Sequence, residues 1–277
     1  GALAAFIKNA GVANAVAETV VQFSIPGIII PILIAALIHV ITGSNALGVM
    51  TAAALVEPML GALGISPLAA FLACGTGALS IPLAKRGYKV TGLDASEEML
   101  RIAAENARAE RVNVPFVCQD MRRLALHRPA DAVLAVCDGV NYLTLKGAEG
   151  FFANAYAALR EGGMLLFDIS SRYKLSTILG NNTFAEDESA AAYIWKNAYD
   201  EQTRQIQMEL TLFEKQADGR FVRFNESQIQ RAHSQREMEG ALKRAGFERI
   251  EAFDAFTFDA PNEKSERIQF RAIKPND

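Results

Sequence analysis

The pattern of apolar and polar residues divides the chain into two parts. Between Glu18 and Glu57 the sequence contains no Asp, Glu, Lys or Arg, and residues 28–41 are apolar on every helical face. Such a stretch suits lipid or a deep core rather than a surface helix. Farther along, short apolar runs are separated by charged amphipathic stretches. The pattern therefore predicts an apolar helical segment over residues 1–68 and a globular domain over residues 69–277.

Apolar runs and helical stretches alternate regularly in the second part. The predicted strands cover 68–73, 89–94, 115–118, 132–137 and 164–169. One predicted helix covers 78–86, a second begins after its capping residue Ser96, and a third covers 235–245. This alternation indicates βαβ units and a doubly wound α/β fold with a mostly parallel sheet and an antiparallel strand near the C-terminus. Between 187 and 233 apolar and polar residues alternate with period two, which predicts an antiparallel β insertion.

Residues suited to hold a nucleotide follow three of these strands. Gly75 and Gly77 lack a Cβ, so a ligand can approach the backbone of the first loop. Asp94 ends the second strand and can accept hydrogen bonds from both ribose hydroxyls. Asp120 follows the third, where its carboxylate can reach an adenine amino group while Met121 lies against the ring. Alone, Asp94 also fits a helix N-cap and Asp120 a turn, but parallel strands end at one edge, so together they predict a nucleotide site.

A dehydrogenase with a dinucleotide cofactor is the alternative. Residues 75–80 nearly supply a G-x-G-x-x-G fingerprint, and Tyr142 and Lys146 match the Tyr-x-x-x-Lys of short-chain dehydrogenases. That match directly follows the fourth strand instead of lying on a later helix. The loop also lacks the TG-x-x-x-G-x-G spacing of those enzymes. The spacing therefore favours a different nucleotide cofactor.

The second part resembles bacterial class I methyltransferases that use S-adenosylmethionine. The resemblance lies in ACGTGALSIPLAKRGYKVTGLDASEEML, VPFVCQDMRRL, DAVLAVCDGVNYLT and LREGGMLLFDISSRYKL, and it continues from about residue 70 to the C-terminus. It implies a Rossmann-like fold and S-adenosylmethionine as cofactor. By the same resemblance Gly75 and Gly77 approach the methionine part, and residues 137–141 line the pocket. The further cofactor contacts that it implies are Ala73, Ala95 and Cys137.

The first part resembles a piece of the gluconate permease family of proton-coupled carboxylate transporters. The resemblance lies in KNAGVANAVAETV, IPILIAALIHVITGSNALGVMTAAALVEPML and ALGISPLAAFLACG. It implies that residues 19–56 associate with a membrane and gives a second hypothesis, a fragment of a carboxylate transporter. Since alternating access needs a second repeat, we favour a permease fragment joined to a methyltransferase, a natural or an artificial fusion. The initial Gly is compatible with such a joined reading frame.

One residue departs from the methyltransferase pattern. The first strand of the family normally reads LDLACGTG, and its acid contacts the amino-acid end of the cofactor, whereas this chain has Phe71 at that position. An aromatic ring offers no acceptor to an ammonium. We therefore expect a weaker affinity for the cofactor, and a nucleotide-binding domain without catalysis is a third hypothesis.

Composition limits the remaining chemistry. The net charge of −3 and the pI near 5.8 give no strong sign of a nucleic-acid partner. Three Cys without CxxC spacing and three His without a ligand motif predict no metal site and a reducing, cytoplasmic location for the methyltransferase part.

Methyl transfer from a sulfonium can proceed by alignment alone, so no residue is assigned as catalytic. The residues predicted to contact the methyl acceptor, a small molecule or a macromolecule, are Asn141, Tyr142, Tyr193, Trp195 and His233.

Overall fold

The computed structural model describes residues 68–187, 191–216, 218–254 and 257–276. Nearly all of the predicted apolar segment, residues 1–67, lies outside this part of the chain. In the part that the structure describes, no helix has the length and apolar character needed to cross a bilayer.

Eleven strands and four helices form the described part. The strands are β1 (Leu68–Leu72), β2 (Lys89–Asp94), β3 (Phe116–Cys118), β4 (Ala130–Ala135), β5 (Leu159–Ser170), β6 (Thr183–Asp187), β7 (Ala191–Asp200), β8 (Gln205–Lys215), β9 (Phe221–Arg231), β10 (Glu248–Asp254) and β11 (Arg267–Ile273). The helices are α1 (Ser80–Lys85), α2 (Glu97–Ala109), α3 (Leu145–Ala158) and α4 (Gln235–Ala245). Short 3₁₀ turns cover Met121–Arg123 and Gly139–Tyr142, and a π-helical turn covers Lys174–Leu179.

A seven-stranded sheet in the order β10-β11-β5-β4-β1-β2-β3 forms the centre of the molecule. The strands β1 to β5 all run parallel to one another, and β11 is antiparallel to both β5 and β10. Because β1 and β4 are central neighbours, the loops after them meet at the carboxyl edge, where α/β sheets bind ligands. The predicted mostly parallel sheet with an antiparallel strand near the C-terminus is confirmed.

The alternation of side chains along β1 builds two cores, one on each face of this sheet. Ala69 and Phe71 belong to the core that includes side chains of α1 and α2, and Ala70 and Leu72 belong to the core that includes side chains of α3 and α4. All four side chains are buried. A strand that is apolar on both faces is the expected form for the middle of a covered parallel sheet.

Local capping fixes two of the helices. The Ser96 hydroxyl accepts a hydrogen bond from the Met99 amide at 3.3 Å, which confirms the predicted cap of α2. Ser234 and Glu237 form a reciprocal capping box at the start of α4, and Gly246 ends that helix with φ +99°. The bounds of α4 agree with the prediction for 235–245.

A separate four-stranded antiparallel sheet, β6-β7-β8-β9, follows β5 and confirms the predicted insertion. It begins at Thr183, before the predicted start at 187, because β6 is a short edge strand whose sequence, TFAED, shows no strict alternation. The fourth strand of the main sheet also ends earlier than predicted, at Ala135. Cys137 and Asp138 adopt left-handed backbone angles, with φ +66° and +53°, and such angles are incompatible with a strand.

Candidate functional site

The glycine loop after β1 is held against the end of β2. The Gly75 amide donates to Oδ2 of Asp94 at 2.8 Å, and the Cys74 amide donates to the Leu93 carbonyl at 3.1 Å. Gly75 and Gly77 have φ +53° and +82°, a left-handed backbone that favours glycine. The loop therefore takes its shape from residues predicted to bind the cofactor.

Asp94 retains the capacity to bind a further group. Its Oδ1 accepts a hydrogen bond from the Ser96 amide at 2.9 Å, so each carboxylate oxygen has one backbone donor. An ionised carboxylate offers about four acceptor positions, and two remain for hydroxyl donors. Ala95 lies between Asp94 and Ser96, whose amide is one of the two donors to this carboxylate. The alternative structural role considered for Asp94 was that of the N-cap of α2, and this N-cap is Ser96.

Asp120 caps the 3₁₀ turn that carries Met121. Its Oδ1 accepts from the Arg122 amide at 2.8 Å, and Arg122 also forms an ion pair with the carboxylate. Hydrogen bonding from Arg122 lowers the pKa of Asp120. The carboxylate is therefore ionised at neutral pH and can accept a hydrogen bond from a ligand. Asp120 thus combines the turn role and the acceptor chemistry that the sequence left open.

The loops after β1, β3 and β4 come together at Gly139. A Cβ added at Gly139 would lie 3.3 Å from Cβ of Ala73 and 3.4 Å from Cε of Met121. The loops after β1, β3 and β4 therefore pack closely at the carboxyl edge, and a residue with a Cβ at position 139 would be crowded against Ala73 and Met121. This observation supports a fit between the predicted residues and a nucleoside cofactor.

A buried ion network lies behind the turn after β4, and sequence reasoning missed it. Arg267 pairs with Asp168, and its Nη2 lies 3.6 Å from Oδ2 of Asp138. The Ser170 hydroxyl and the Asp138 amide add hydrogen bonds of 2.9 Å to Asp138 and 3.2 Å to Asp168. These contacts hold Asp138 in its left-handed conformation. The one sign of this network in the sequence is that Asp168 and Arg267 stand in the apolar runs LLFDIS and RIQF. A charged side chain in a buried strand requires a partner of opposite charge.

The network sets two buried carboxylates against one guanidinium, and burial shifts the pKa values of its groups. Burial raises the pKa of Asp168, and its Oδ1 has no hydrogen-bond partner among the described residues. Burial by itself lowers the pKa of Arg267, but the two carboxylates raise it, so the guanidinium stays charged. Burial, and then Asp168, also raises the pKa of the Cys137 thiol well above its ordinary value. The Cys137 thiol is therefore neutral at neutral pH and a poor nucleophile, and its predicted contact with the cofactor stays a prediction.

Two of the residues predicted to contact the acceptor hold the backbone together. The Asn141 amide donates to the carbonyls of Ser170 and Arg231 at 3.0 and 2.9 Å and accepts from the Ser170 amide at 2.8 Å. His233 is fully buried, its Nε2 lies 3.0 Å from the Leu143 carbonyl, and burial lowers its pKa. The geometry gives both residues structural contacts, and their predicted contact with the acceptor stays a prediction.

Tyr142, Tyr193 and Trp195 differ in exposure, since Tyr142 is partly exposed, Trp195 is half-buried and Tyr193 is buried. The Tyr142 hydroxyl donates to Oε1 of Gln228 on β9 at 2.7 Å. Tyr193 and Trp195 lie on one face of β7, and Trp195 packs against Phe184 with ring centroids 5.5 Å apart. Their predicted roles stay predictions, but the small sheet is in contact with the turn after β4.

Phe71 is 3 % exposed and packs in the core between the sheet and helices α1 and α2. An acid at this position would have to leave that apolar cluster or find a donor inside it. Among the described residues, no group of three or more His, Cys, Asp or Glu side chains could hold a metal ion.

Comparisons with known proteins agree with this geometry. The sequence model described as "Methyltransferase domain" matches residues 71–163, and the model described as "GntP family permease" matches residues 1–84. The predicted resemblance of the first part to the gluconate permease family is thereby confirmed, and the two matches overlap at 71–84. This overlap includes the glycine loop.

Two bacterial relatives and one solved structure extend the match to most of the chain. "Putative methyltransferase GWCH70_2453" of Geobacillus sp. (strain WCH70) is 37 % identical over 202 residues, which cover 73 % of this chain and 82 % of the relative. "Putative methyltransferase YqeM" of Bacillus subtilis (strain 168) is 35 % identical over 205 residues, with the same coverage. A crystal structure of an S-adenosylmethionine-dependent methyltransferase from Clostridium acetobutylicum superposes with a TM-score of 0.78 at 27 % identity, covering 86 % of this chain and 96 % of that one.

These matches span the glycine loop, Asp94, Asp120 and the turn after β4, which the fold brings to one edge of the sheet. The chain therefore belongs to the class I S-adenosylmethionine-dependent methyltransferases.

Proposed function

We propose that residues 69–277 transfer a methyl group from S-adenosylmethionine to an acceptor that enters between the turn after β4 and the small sheet. The observation that carries this proposal is the meeting of the loops after β1, β3 and β4 at Gly139. The acceptor is not fixed by these residues. What supports its place is the contact of Tyr142 with β9.

Bound at this edge, S-adenosylmethionine supplies a methyl group already activated on a sulfonium. The residues of this chain then bind and orient. Asp94 would hold the ribose, Asp120 and Met121 the adenine, and the loop from Ala73 to Gly77 the methionine part. Alignment of an acceptor atom with the methyl group can supply most of the acceleration, so no general base is required.

We also propose that the cofactor binds less tightly here than in relatives with an acid at position 71, and that the first part is a permease fragment joined to the methyltransferase. The overlap of the two family matches at 71–84 supports a junction near β1. Resequencing of the intact gene tests the joining. A gene in which a complete permease precedes these residues would contradict the hypothesis of a fragment.

Substitution of Gly139 tests the cofactor site. In the Gly139→Ala variant the added Cβ crowds Ala73 and Met121, so the loops that would hold the cofactor must shift. Because of this displacement we expect binding of the cofactor to weaken about tenfold. Calorimetric titration with S-adenosylmethionine and S-adenosylhomocysteine measures the effect, with NAD as the comparison ligand. We expect both adenosyl ligands to bind the wild type and NAD not to bind.

The matched control is Gly150→Ala. A Cβ at Gly150 meets nothing within 4 Å, and this glycine lies inside α3, so alanine there should leave the affinity unchanged and stabilise the helix by about 0.5–1 kcal/mol. Binding of NAD alone by the wild type would overturn the proposed function. Equal affinities in the two variants would place the cofactor away from Gly139.

A further inference from the structure

One face of the small sheet turns toward the cofactor edge. Cross-strand partners in an antiparallel sheet lie on the same face. The pairings Phe184↔Trp195, Trp195↔Leu210 and Leu210↔Glu226 therefore define one face, here called the inner face. Gln228 lies on this face and contacts Tyr142. Leu175 of the π-helical turn belongs to the same apolar cluster as Ile206 and Met208, which also lie on this face.

The charges of the two faces differ sharply. Among the described residues of the four strands, the inner face carries the acids Glu186, Glu214 and Glu226 and no Lys or Arg. The outer face carries acids and bases together. Its bases are Lys196, Lys215, Arg223 and Arg231, and its acids are Asp187, Asp200 and Glu209. Among the described residues of the small sheet itself, a ligand on the inner face therefore meets carboxylates and no basic side chain.

Most of the other inner-face positions carry apolar or aromatic side chains, and the polar exceptions are Asn197, Gln228 and Gln230. Tyr193 and Leu212 are buried there, and Trp195, Leu210 and Phe224 are half-buried and pack against them. Aromatic faces attract cations through the ring quadrupole. The surface suits a group that is apolar along its length and positively charged at one point.

The hydrogen bonds of Tyr142 have a fixed direction. An ionised Glu226 can only accept, so Gln228 must present its amide nitrogen to Glu226 and its carbonyl oxygen to Tyr142. The Tyr142 hydroxyl must then donate to Gln228, and its oxygen can only accept a hydrogen bond from a ligand. Partial burial, and then the carboxylate of Asp138, raise the pKa of this phenol. A hydrogen bond from the Gln230 side chain lowers the pKa and Glu226 raises it slightly, so the phenol stays protonated at neutral pH. The second lone pair of the oxygen remains for a ligand.

These observations fit one class of acceptor. Resting on the proposed methyl transfer, we propose that the acceptor is an amine with an apolar body that lies on the inner face and points its nitrogen toward Tyr142. The acids and aromatic rings favour its cationic form, and the Tyr142 oxygen accepts one of its N–H groups.

The reaction balances for an amine. The ammonium releases one proton to water, and the neutral nitrogen then attacks the methyl carbon in line with the carbon–sulfur bond. The electron pair of that bond stays on sulfur, which becomes a thioether. The nitrogen becomes an N-methylammonium, so one methyl group is transferred and one proton is released.

Fluorescence of Trp195, the single tryptophan of the chain, reports binding on the inner face. Three probes of similar shape separate charge from apolar contact: 2-phenylethylamine, 2-phenylethanol and 3-phenylpropionate. We expect the amine to bind about tenfold more tightly than the alcohol, and the acid most weakly. The Glu226→Gln and Glu186→Gln variants should each weaken binding of the amine about threefold or more and leave binding of the alcohol unchanged.

The matched control is Glu209→Gln, which removes a carboxylate from the outer face of the same sheet and should change nothing. Equal affinities for the three probes, or an equal loss in the control, would overturn the amine as acceptor. Titration with S-adenosylhomocysteine on the same samples separates the two proposals. If it binds without a preference for the amine, only the acceptor class fails. If it does not bind at all, methyl transfer and the role of the amine fail together.

Discussion

At the scale of single residues, Phe71 shows how the first strand combines two demands. As part of β1 it packs in the core between the sheet and α1 and α2, which suits a large apolar ring. By its resemblance to the methyltransferase pattern, the same position is expected to carry an acid that reaches the amino-acid end of the cofactor. The ring meets the first demand and leaves the second unmet.

The Phe71→Asp variant should bind S-adenosylmethionine more tightly and fold less stably. A charge-assisted hydrogen bond contributes about 1.5–3 kcal/mol, which corresponds to about a tenfold gain in affinity or more. Loss of the buried ring costs about 3–5 kcal/mol of unfolding free energy. Calorimetry measures the first effect and urea denaturation the second.

Phe71→Asn is the control for charge, since it has the same size as the aspartate without the carboxylate. A gain in affinity that is equal in both variants would show that space, and not charge, limits binding. Unchanged affinity in the aspartate variant would contradict the expected weakness of the native site.

At the scale of elements, the junction of β5 and β11 combines strand pairing with buried charge. Arg267 is cross-strand partner of Ser170, so its guanidinium reaches Asp168 and Asp138 at the carboxyl edge. The side chains of Arg267 and Asp168 are 6 % and 2 % exposed. Their pairing fixes the start of β11 to β5 and to the turn after β4.

The Arg267→Gln variant should lose about 3–5 kcal/mol of unfolding free energy, because it leaves two buried carboxylates without a counter-charge. Without Arg267 the raised pKa of Asp168 rises further. When the pKa of a carboxyl is higher in the native state than in the unfolded state, the protein loses stability as the pH rises from the unfolded-state pKa through the native-state pKa. The deficit against the wild type should therefore shrink as pH falls below that range. Urea denaturation across pH measures both effects.

Arg271→Gln provides the comparison on the same strand. Arg271 pairs with Glu251 while both side chains remain partly exposed, at 32 % and 42 %, and such a pair contributes about 1 kcal/mol or less. Losses of similar size in the two variants would contradict the structural role assigned to the buried network.

At the scale of the whole molecule, Asn141 ties the small sheet to the main one. Its side chain joins the end of β5 to the end of β9 through three backbone hydrogen bonds. The position of the proposed acceptor surface relative to the cofactor edge therefore depends on this amide.

The Asn141→Ala variant should loosen β9 without unfolding the main sheet. Buried backbone groups of Ser170 and Arg231 would lose their partners, at a cost of about 1–3 kcal/mol each. Hydrogen exchange should become faster for amides of residues 221–231 and stay slow in β1 and β2.

Asn154→Ala, which removes one exposed hydrogen bond to the Arg122 carbonyl, should leave both sheets unchanged. Exchange that accelerates equally in the two sheets of the Asn141 variant would show that they do not open separately.

The sequence by itself determined most of the strands, the helices α1, α2 and α4, and the edge at which the parallel strands end, but it gave no prediction for α3. Period and capping residues predicted α2, α4, the alternating strands and the small sheet, because these signals are local. Gly75, Gly77, Asp94 and Asp120 could be found for the same reason, since each follows a strand and parallel strands end together. Their binding of the cofactor stays a prediction.

Only the tertiary structure decided the contacts between distant parts of the chain. Arg267 and Asp168 are 99 residues apart, and Asn141 and Arg231 are 90 apart, so no spacing rule could pair them. The inner face of the small sheet became visible only when strand register assigned its residues to sides, because a shift of one residue would exchange the two faces. Local sequence fixes which groups are present, and long-range packing decides which of them meet.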